Sequence, residues 1–461
     1  MLKIKRLPDG RLDKYKARLV VKGYRQVHGI DYDLLFAPVA KRTSLLCFLH
    51  MVASEDLECH SIDYNTAFLN GRLEEEIYIE QPELYDDGSG QALKLNKALY
   101  GLKQAPREWY KALSGKMKKA GFTFCAVDAA VARIVYRGRT AWVLFYVDDV
   151  LVAATELGTV KGVKKLLLSI YEGTDKGELH DFLGMAVHRD RAARRLYLDQ
   201  TSYASKIVRD AGLTDVKPKR IPLPPNQHQD PPGAALSPQA TEGYRRTVGE
   251  LMYLANSTRP DLAYAAAYLA CHLQVPTRAH QAHLKHTLGY LSITTGYVLP
   301  LGRQTDDTLC GYVDSDWAQE PSRKSVFGFC FQVQGSTVAW RSKRLKTVAR
   351  SSMEAEFMAA GEAVREAMRL QWLRYFLQGD SSAIRMYSDS RTAVGLIRNP
   401  VTEDMRKHID VIYNHVRERQ EAAYVDFKWI AGGDNIADTF TKALPHPAFV
   451  KHRDGLHLAT H

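Results

Sequence analysis

Two apolar runs, Trp142–Tyr146 and Val150–Ala154, are separated only by Val147, Asp148 and Asp149. Short apolar runs bounded by a turn read as the core strands of a hairpin. Here the tip carries two adjacent carboxylates, and a buried unpaired charge is costly. The pair therefore needs a cation or hydrogen-bond donors, unless it is an ordinary acidic surface turn. Glu58–Asp63 also reads as a strand ending on a carboxylate. Adjacent strands would gather Asp63, Asp148 and Asp149. Such a trio suits phosphoryl transfer, in which two divalent ions about 3.5–4 Å apart serve the attacking and leaving oxygens. Mg²⁺ prefers carboxylate oxygens and keeps several waters.

Four more acids are spaced through the second half. Asp314 follows a strand over 309–313, Glu356 lies on a long helix over 353–377, Asp389 follows a strand over 384–387, and Asp438 lies on a helix. Glu356 is in phase with Ala360 and Ala363, whose small side chains suit close packing, so it faces inward. Taken singly, each acid reads as a surface charge. Asp316 competes with Asp314, and Glu354 with Glu356; Asp314 and Glu356 are preferred.

The rest of the chain narrows the class. It has 461 residues and a net charge of +11, with 45% hydrophobic and 25% charged residues. That composition excludes a largely disordered or fibrous chain, and the length suggests two to four domains at roughly 100–200 residues each. The first 30 residues carry +7. The excess points to nucleic acid or another anionic partner, against the plainer reading of a basic soluble enzyme. Six scattered cysteines without a Cys-x-x-Cys pair exclude a zinc or disulfide framework and fit a reduced intracellular compartment. The longest apolar run, Ala141–Val147, is too short to span a bilayer, and the N-terminus lacks a signal-like apolar stretch. Residues 214–243 hold seven of 18 prolines and read as a linker. Residues 244–298 are helical by pattern, broken at Pro260 and Pro276. His446, His452, His457 and His461 lack metal spacing and read as a frayed tail.

Local wording adds a resemblance. Tyr146-Val147-Asp148-Asp149 resembles the polymerase signature of reverse transcriptases. His60 to Gly71, Leu99-Tyr100-Gly101-Leu102-Lys103-Gln104-Ala105-Pro106, Tyr15 to Gly23 and Phe36-Ala37-Pro38-Val39 resemble, in family order, further motifs of copia-type LTR retrotransposon polyproteins. Tyr312 to Ala318, Ser351 to Phe357, Tyr387-Ser388-Asp389-Ser390 and Asn435-Ile436-Ala437-Asp438 resemble that family's ribonuclease H. The segment from Tyr244 to Tyr264 resembles its connector.

The resemblance implies an α+β polymerase domain of the fingers, palm and thumb type, a helical connector, and an α/β ribonuclease H-like domain. The implied boundaries are 1–205 for the polymerase, whose fingers begin upstream of Met1, 206–304 for linker and connector, 305–445 for the ribonuclease H-like domain, and 446–461 for the tail. Asp63, Asp148 and Asp149 would be the catalytic, metal-binding acids of the polymerase. Asp314, Glu356, Asp389 and Asp438 would be those of the nuclease. Lys16 and Arg18 would lie over the incoming triphosphate, Phe68 would exclude a 2′-hydroxyl, and Tyr100 and Gly101 would floor the pocket. Phe182-Leu183-Gly184 resembles the primer-holding hairpin. The basic run Arg341, Lys343, Arg344, Lys346 and Arg350 would hold a hybrid backbone, or is a solvated hairpin.

The implied activity is RNA-directed DNA polymerase with ribonuclease H, using two Mg²⁺ per site, with Mn²⁺ as the substitute. The implied partners are RNA template, DNA or RNA primer, RNA–DNA hybrid, deoxynucleoside triphosphates and other products of the same polyprotein, with no membrane. The implied location is the cytoplasm, in a virus-like particle, and the nucleus. The shortened fingers also admit a second class: a decayed or co-opted fragment that binds nucleic acid without polymerising, or that retains only ribonuclease H. Thr287 and Gly289 stand where the family usually has arginines.

Overall fold

The computed structural model describes residues 2–6, 12–82, 85–212, 217–225, 227, 233–305, 309–319, 322–399 and 410–460. The chain forms two compact units, Met1–Lys41 with Leu57–Leu179, and Arg42–Asp56 with His180–His461. The second therefore takes helix α1 (Arg42–Ser54) out of the middle of the first. These units cut across the segment boundaries expected from sequence.

In the first unit, β1 (Leu2–Arg6) and β2 (Leu12–Ala17) form an antiparallel ribbon. Strand β2 stops at Ala17, and Gly23–Arg25 is a 3₁₀ turn. The main sheet uses β3 (Glu58–Tyr64), and a small ribbon joins β4 (Tyr78–Ile79) to β5 (Leu93–Lys94). The other main strands are β6 (Thr123–Phe124), β7 (Val131–Tyr136), β8 (Arg139–Tyr146), β9 (Asp149–Ala154) and β10 (Gly173–Glu178). Their order is β10-β3-β9-β8-β7-β6, antiparallel throughout. Val150 to Ala154 are all buried, which is why β9 reads as a continuous apolar run rather than an alternating one.

Helices α2 (Ala105–Lys119) and α3 (Leu157–Ile170) supply the cover. Trp109, Leu113 and Met117 recur every fourth residue along α2 and are buried. Lys164 of α3 is also buried. Its ammonium donates to Asp175 Oδ1 (2.6 Å) and His60 Nδ1 (2.8 Å), which ties α3 to β10 and β3 and satisfies the buried charge.

The second unit contains two five-stranded sheets. One orders β11 (Asp181–Phe182), β12 (Met185–Asp190), β13 (Arg195–Asp199), β14 (Tyr297–Gly302) and, at its far edge, β20 (Ala459–Thr460). Helices α4 (Thr201–Asp210), α5 (Pro238–Ser257), α6 (Ala263–Ala270) and α7 (Arg278–Ile293) lie in the chain between β13 and β14. The other sheet uses β15 (Leu309–Asp316), β16 (Val326–Val333), β17 (Ser336–Arg344), β18 (Ile384–Ser388) and β19 (Val425–Trp429), in the order β17-β16-β15-β18-β19. Here β15, β18 and β19 are parallel, while β16 and β17 run antiparallel. Helix α8 (Ser352–Gln378) packs on β15 and β16; α9 (Arg391–Arg398), α10 (Asp410–Glu421) and α11 (His446–Gly455) complete the unit.

Every residue of α1 from Thr43 to Ala53 is buried. A helix apolar on all sides belongs in an interior, and α1 packs among α8, β13, β14 and β17. Its ends are held by polar contacts. The Arg42 guanidinium lies 4.1 Å from the centre of the Trp340 ring, and His50 Nδ1 accepts from Gly302 N–H (3.3 Å). Burial lowers the His50 pKa to about 4, so the imidazole is neutral.

Three expectations change. Residues 446–460 do not fray: they form α11 and β20, which pairs with β14, and His452 is buried. The proline-rich stretch is partly docked. Proline lacks an N–H donor but keeps its carbonyl, so Thr287 Oγ1 donates to Pro222 O (2.9 Å) and His286 Nε2 to Ile221 O (3.1 Å). Thr287 is fully buried, a position with no room for arginine. The helix expected around Asp438 is a short 3₁₀ segment, Ile436–Phe440. Among the described residues no helix is long and apolar enough to cross a membrane.

Two candidate metal centres

In the first unit the register of β3 and β9 sets Asp63 directly opposite Asp149, and Tyr146 closes the β8–β9 turn against the same residue. Asp148 sits in that turn. Val147 has φ 58°, a left-handed conformation that strains a β-branched residue. Neighbours hold the strained turn. Trp109 Nε1 donates to Val147 O (2.8 Å), and Tyr64 N–H donates to Asp148 O (2.9 Å).

Tyr100 donates its hydroxyl to Asp148 Oδ2 (3.0 Å), whereas Oδ1 is buried without a hydrogen-bond partner. Burial raises the Asp148 pKa, and the Asp63 and Asp149 charges add to the rise. Burial, with the Asp148 charge, pushes the Tyr100 hydroxyl up to about 12. A cation fits this arrangement. One already reaches in: Lys176 Nζ lies 2.9 Å from Asp149 Oδ1 and 3.8 Å from Asp63 Oδ2.

The expected pocket residues gather on the same side. The Phe68 and Tyr100 rings lie 4.6 Å apart, and the Arg18 guanidinium is 5.2 Å from the Tyr100 ring centre. Gly101 has φ +95°, and a Cβ there would fall 2.1 Å from Val21 O. Val21 N–H donates to Tyr100 O (2.8 Å), so backbone meets backbone where no side chain fits. Lys16 lies on β2 opposite Lys3, and its side chain falls outside what the structure describes.

In the second unit, Asp314 near the end of β15, Asp389 just after β18 and Asp438 in the 3₁₀ segment bring carboxylate oxygens within 4.8 Å of one another. They are the one such trio among the described residues. Asp316 is not in it, and neither is Glu356. Glu356 nevertheless feels the charges of Asp314 and Asp389. Glu354 serves the helix end instead: its backbone N–H donates to the Ser351 cap (3.1 Å), and its carboxylate accepts from Arg350 N–H (2.6 Å).

Burial is the largest cause of a raised pKa at all four acids, and like charge adds to it: Asp314 and Asp389 at Glu356, Asp438 at Asp314, Asp314 at Asp389, and Asp389 at Asp438. Such crowding favours a divalent cation. Thr441 Oγ1 donates to Asp314, and Asn435 Nδ2 donates to Asp389 Oδ1 (3.3 Å) and to Val313 O (3.0 Å). A Cβ on Gly432 would lie 3.1 Å from Asp389 Oδ2, so that glycine permits close backing of the carboxylate. Lys442 Nζ lies 3.0 Å from Asp438 Oδ1 and 3.9 Å from Asp314 Oδ2. Burial alone would lower its pKa, but these two acids raise it.

Sequence reasoning missed both lysines and the Trp109 and Tyr100 bonds. Lys442, only four residues after Asp438 in the chain, was the findable one. Lys176 reaches the acids only through the β3–β10 pairing. Among the remaining motifs, Phe182 and Met185 close a tight hairpin around Leu183 and Gly184. Arg341, Lys343, Lys346 and Arg350 are exposed on and after β17, an edge strand.

The first unit thus presents acids at the end of an antiparallel six-stranded sheet, and the second at the ends of a mixed five-stranded one. Residues 3–225 match the family model for reverse transcriptase (RNA-dependent DNA polymerase). The chain is 37% identical over 466 residues to the retrovirus-related Pol polyprotein from transposon TNT 1-94 of Nicotiana tabacum, covering 97% of this chain and 34% of that one. It is 30% identical over 314 residues to the transposon Ty5-1 protein of Saccharomyces cerevisiae, covering 66% of this chain and 100% of that one. The prototype foamy virus protease–reverse transcriptase aligns over 96% of this chain and 51% of its own, at 14% identity and a TM-score of 0.25. The chain belongs to the copia-type retrotransposon reverse transcriptase family. It spans about a third of the length of the plant polyproteins it matches.

Proposed function

We propose that the chain is an RNA-directed DNA polymerase with a C-terminal ribonuclease H, extending a primer on RNA or DNA and degrading the copied RNA. The observation that carries this reading is the register pairing of Asp63 with Asp149, with Asp148 in the intervening turn. Asp63, Asp148 and Asp149 would hold Mg²⁺ in the first unit, and Asp314, Glu356, Asp389 and Asp438 would hold it in the second. The bound ions would lower the pKa of the attacking hydroxyl or water and offset charge on the leaving oxygen.

The chain's own residues position the reactants. The Tyr100 hydroxyl fixes one oxygen of Asp148 and leaves the other for a ligand. Arg18, stacked on Tyr100, neutralises the triphosphate of the incoming deoxynucleotide, and Lys16 adds to that charge. Phe68, packed beside Tyr100, closes the space a 2′-hydroxyl would need. Gly101 keeps the pocket floor low. In this reading the first unit is fingers and palm, and the hairpin at Leu183 and Gly184 holds the primer.

The test is primer extension on a defined RNA template alongside cleavage of an end-labelled RNA–DNA hybrid. Asp148→Asn is expected to lower extension by about a hundredfold or more and leave cleavage intact, and Glu356→Gln to do the reverse. Equal incorporation by wild type and Asp148→Asn would sink the polymerase. A second reading, in which only the nuclease works, is favoured by the Asp314 trio being the one group of three clustered acids among the described residues. Hybrid cleavage by a chain that extends no primer would select it.

A further inference from the structure

Beside Asp389 the second unit carries one arginine stacked on an exposed indole, a pair that the carboxylate cluster does not use. Strand β19 runs parallel to β18 with Trp429 paired to Ser388, and Trp429 Nε1 donates to the backbone oxygen of Asp389 (3.0 Å). The indole is 42% exposed. Arg391, the first residue of α9, lays its guanidinium 4.2 Å from the centre of that ring, and it too is exposed. Among the described residues no acid pairs with it.

Stacking occupies the face of a guanidinium but leaves its N–H edge free, and it fixes that edge in one plane. A planar fork held this way suits two oxygens of one phosphate. The anchor is the main chain of Asp389 itself, so the fork stands next to whatever phosphate the acids hold.

We propose that Arg391 and Trp429 form a subsite for the RNA strand of a hybrid. Arg391 donates to the phosphodiester neighbouring the one that is cleaved, and Trp429 holds the guanidinium in plane. The subsite reads backbone, not sequence. The inference rests on the nuclease reading of Asp389, and its test separates the two.

The experiment measures binding of a fluorescently labelled RNA–DNA hybrid to the full chain, in chelator, across a salt series, for wild type and for Arg391→Ala, Arg391→Lys, Trp429→Ala and Trp429→Phe. Arg391→Ala is expected to weaken binding about five- to tenfold and to reduce the salt slope by about one. Arg391→Lys should restore the slope but not the full affinity, since an ammonium has no fork. Trp429→Ala should weaken binding several-fold, and Trp429→Phe should recover most of it. Melting midpoints and primer extension should stay as in wild type.

Unchanged affinity and slope for Arg391→Ala overturn the proposal. Loss with Trp429→Ala but none with Arg391→Ala also overturns it, because the indole would then only brace Asp389. An equal loss on duplex DNA overturns the assignment to the RNA strand. A wild-type chain that neither binds nor cleaves the hybrid removes the nuclease reading, and the subsite with it. Wild-type cleavage with unchanged variants removes the subsite alone.

Discussion

Asp148 stands on a turn held in shape by its neighbours, whereas Asp314 stands in a crowd of like charges. In the first unit a strained Val147, an indole bond and a backbone-to-backbone fit at Gly101 position the acid. In the second, four acids are pushed up in pKa by burial and by one another. The first centre depends on backbone geometry and the second on charge compensation. Each also directs one lysine between two acids, at nearly the same pair of distances. Burial and like charge raise Asp148 too, beside Asp63 and Asp149, so the two centres differ in how far backbone geometry supplements charge compensation.

Charge is the larger lever. At an Mg²⁺ concentration a hundred times the second unit's dissociation constant, that unit should gain about 2.7 kcal/mol and the first, binding more weakly, less. Melting followed by separate probes in the two units, with and without Mg²⁺, measures this; equal shifts would erase the distinction. Next comes geometry. Gly101→Ala forces a Cβ against Val21 O at a positive φ and should cost about 1–3 kcal/mol in the first unit alone. Primer extension should fall while hybrid cleavage stays.

The pH response has a definite sign. A carboxyl whose folded pKa is raised contributes stability that is full below its unfolded value and lost as pH rises through the folded one. For Glu356 that loss begins near the ordinary value of 4.5. Metal-free protein should therefore melt earlier in its second unit as pH rises from there, and Glu356→Gln should flatten the slope. A midpoint that climbs with pH over that window would refute the crowding. The smallest effect expected is at Lys442. Lys442→Gln removes the resident cation, so the metal-free unit should lose up to about 1 kcal/mol while Mg²⁺ binds more tightly. Calorimetric titration with Mg²⁺ checks the second half.

Much of this was legible in the sequence where a pattern repeats locally. The runs around Asp148-Asp149, the fourfold spacing of Trp109, Leu113 and Met117, and the strands before Asp314 and Asp389 all appear where periodicity places them. Each depends on neighbours in the chain. What stayed hidden depends on distant partners. Trp109 reads as a core residue, and only the fold shows its indole bond to Val147. Lys164 is held by His60 and Asp175, which only the β3–β10 pairing brings to it. Ile221 and Pro222 read as linker because proline cannot donate, yet their carbonyls accept from α7. The late histidines were misread because amphipathic spacing is weak in so short a helix.

Helix α1 has a consequence for modularity. Its apolar residues, Leu46, Phe48, Leu49, Met51 and Val52 among them, complete the interior of a unit whose remainder begins only at His180. One cut between Leu179 and His180 would leave that helix on the wrong fragment. The piece from His180 onward would carry an apolar trough one helix long, prone to self-association, until a peptide spanning Arg42–Asp56 was supplied in trans. The second unit is thus not a cassette that a single recombination breakpoint or protease site can lift out whole, and the two activities proposed for this chain are tied to the same inheritance.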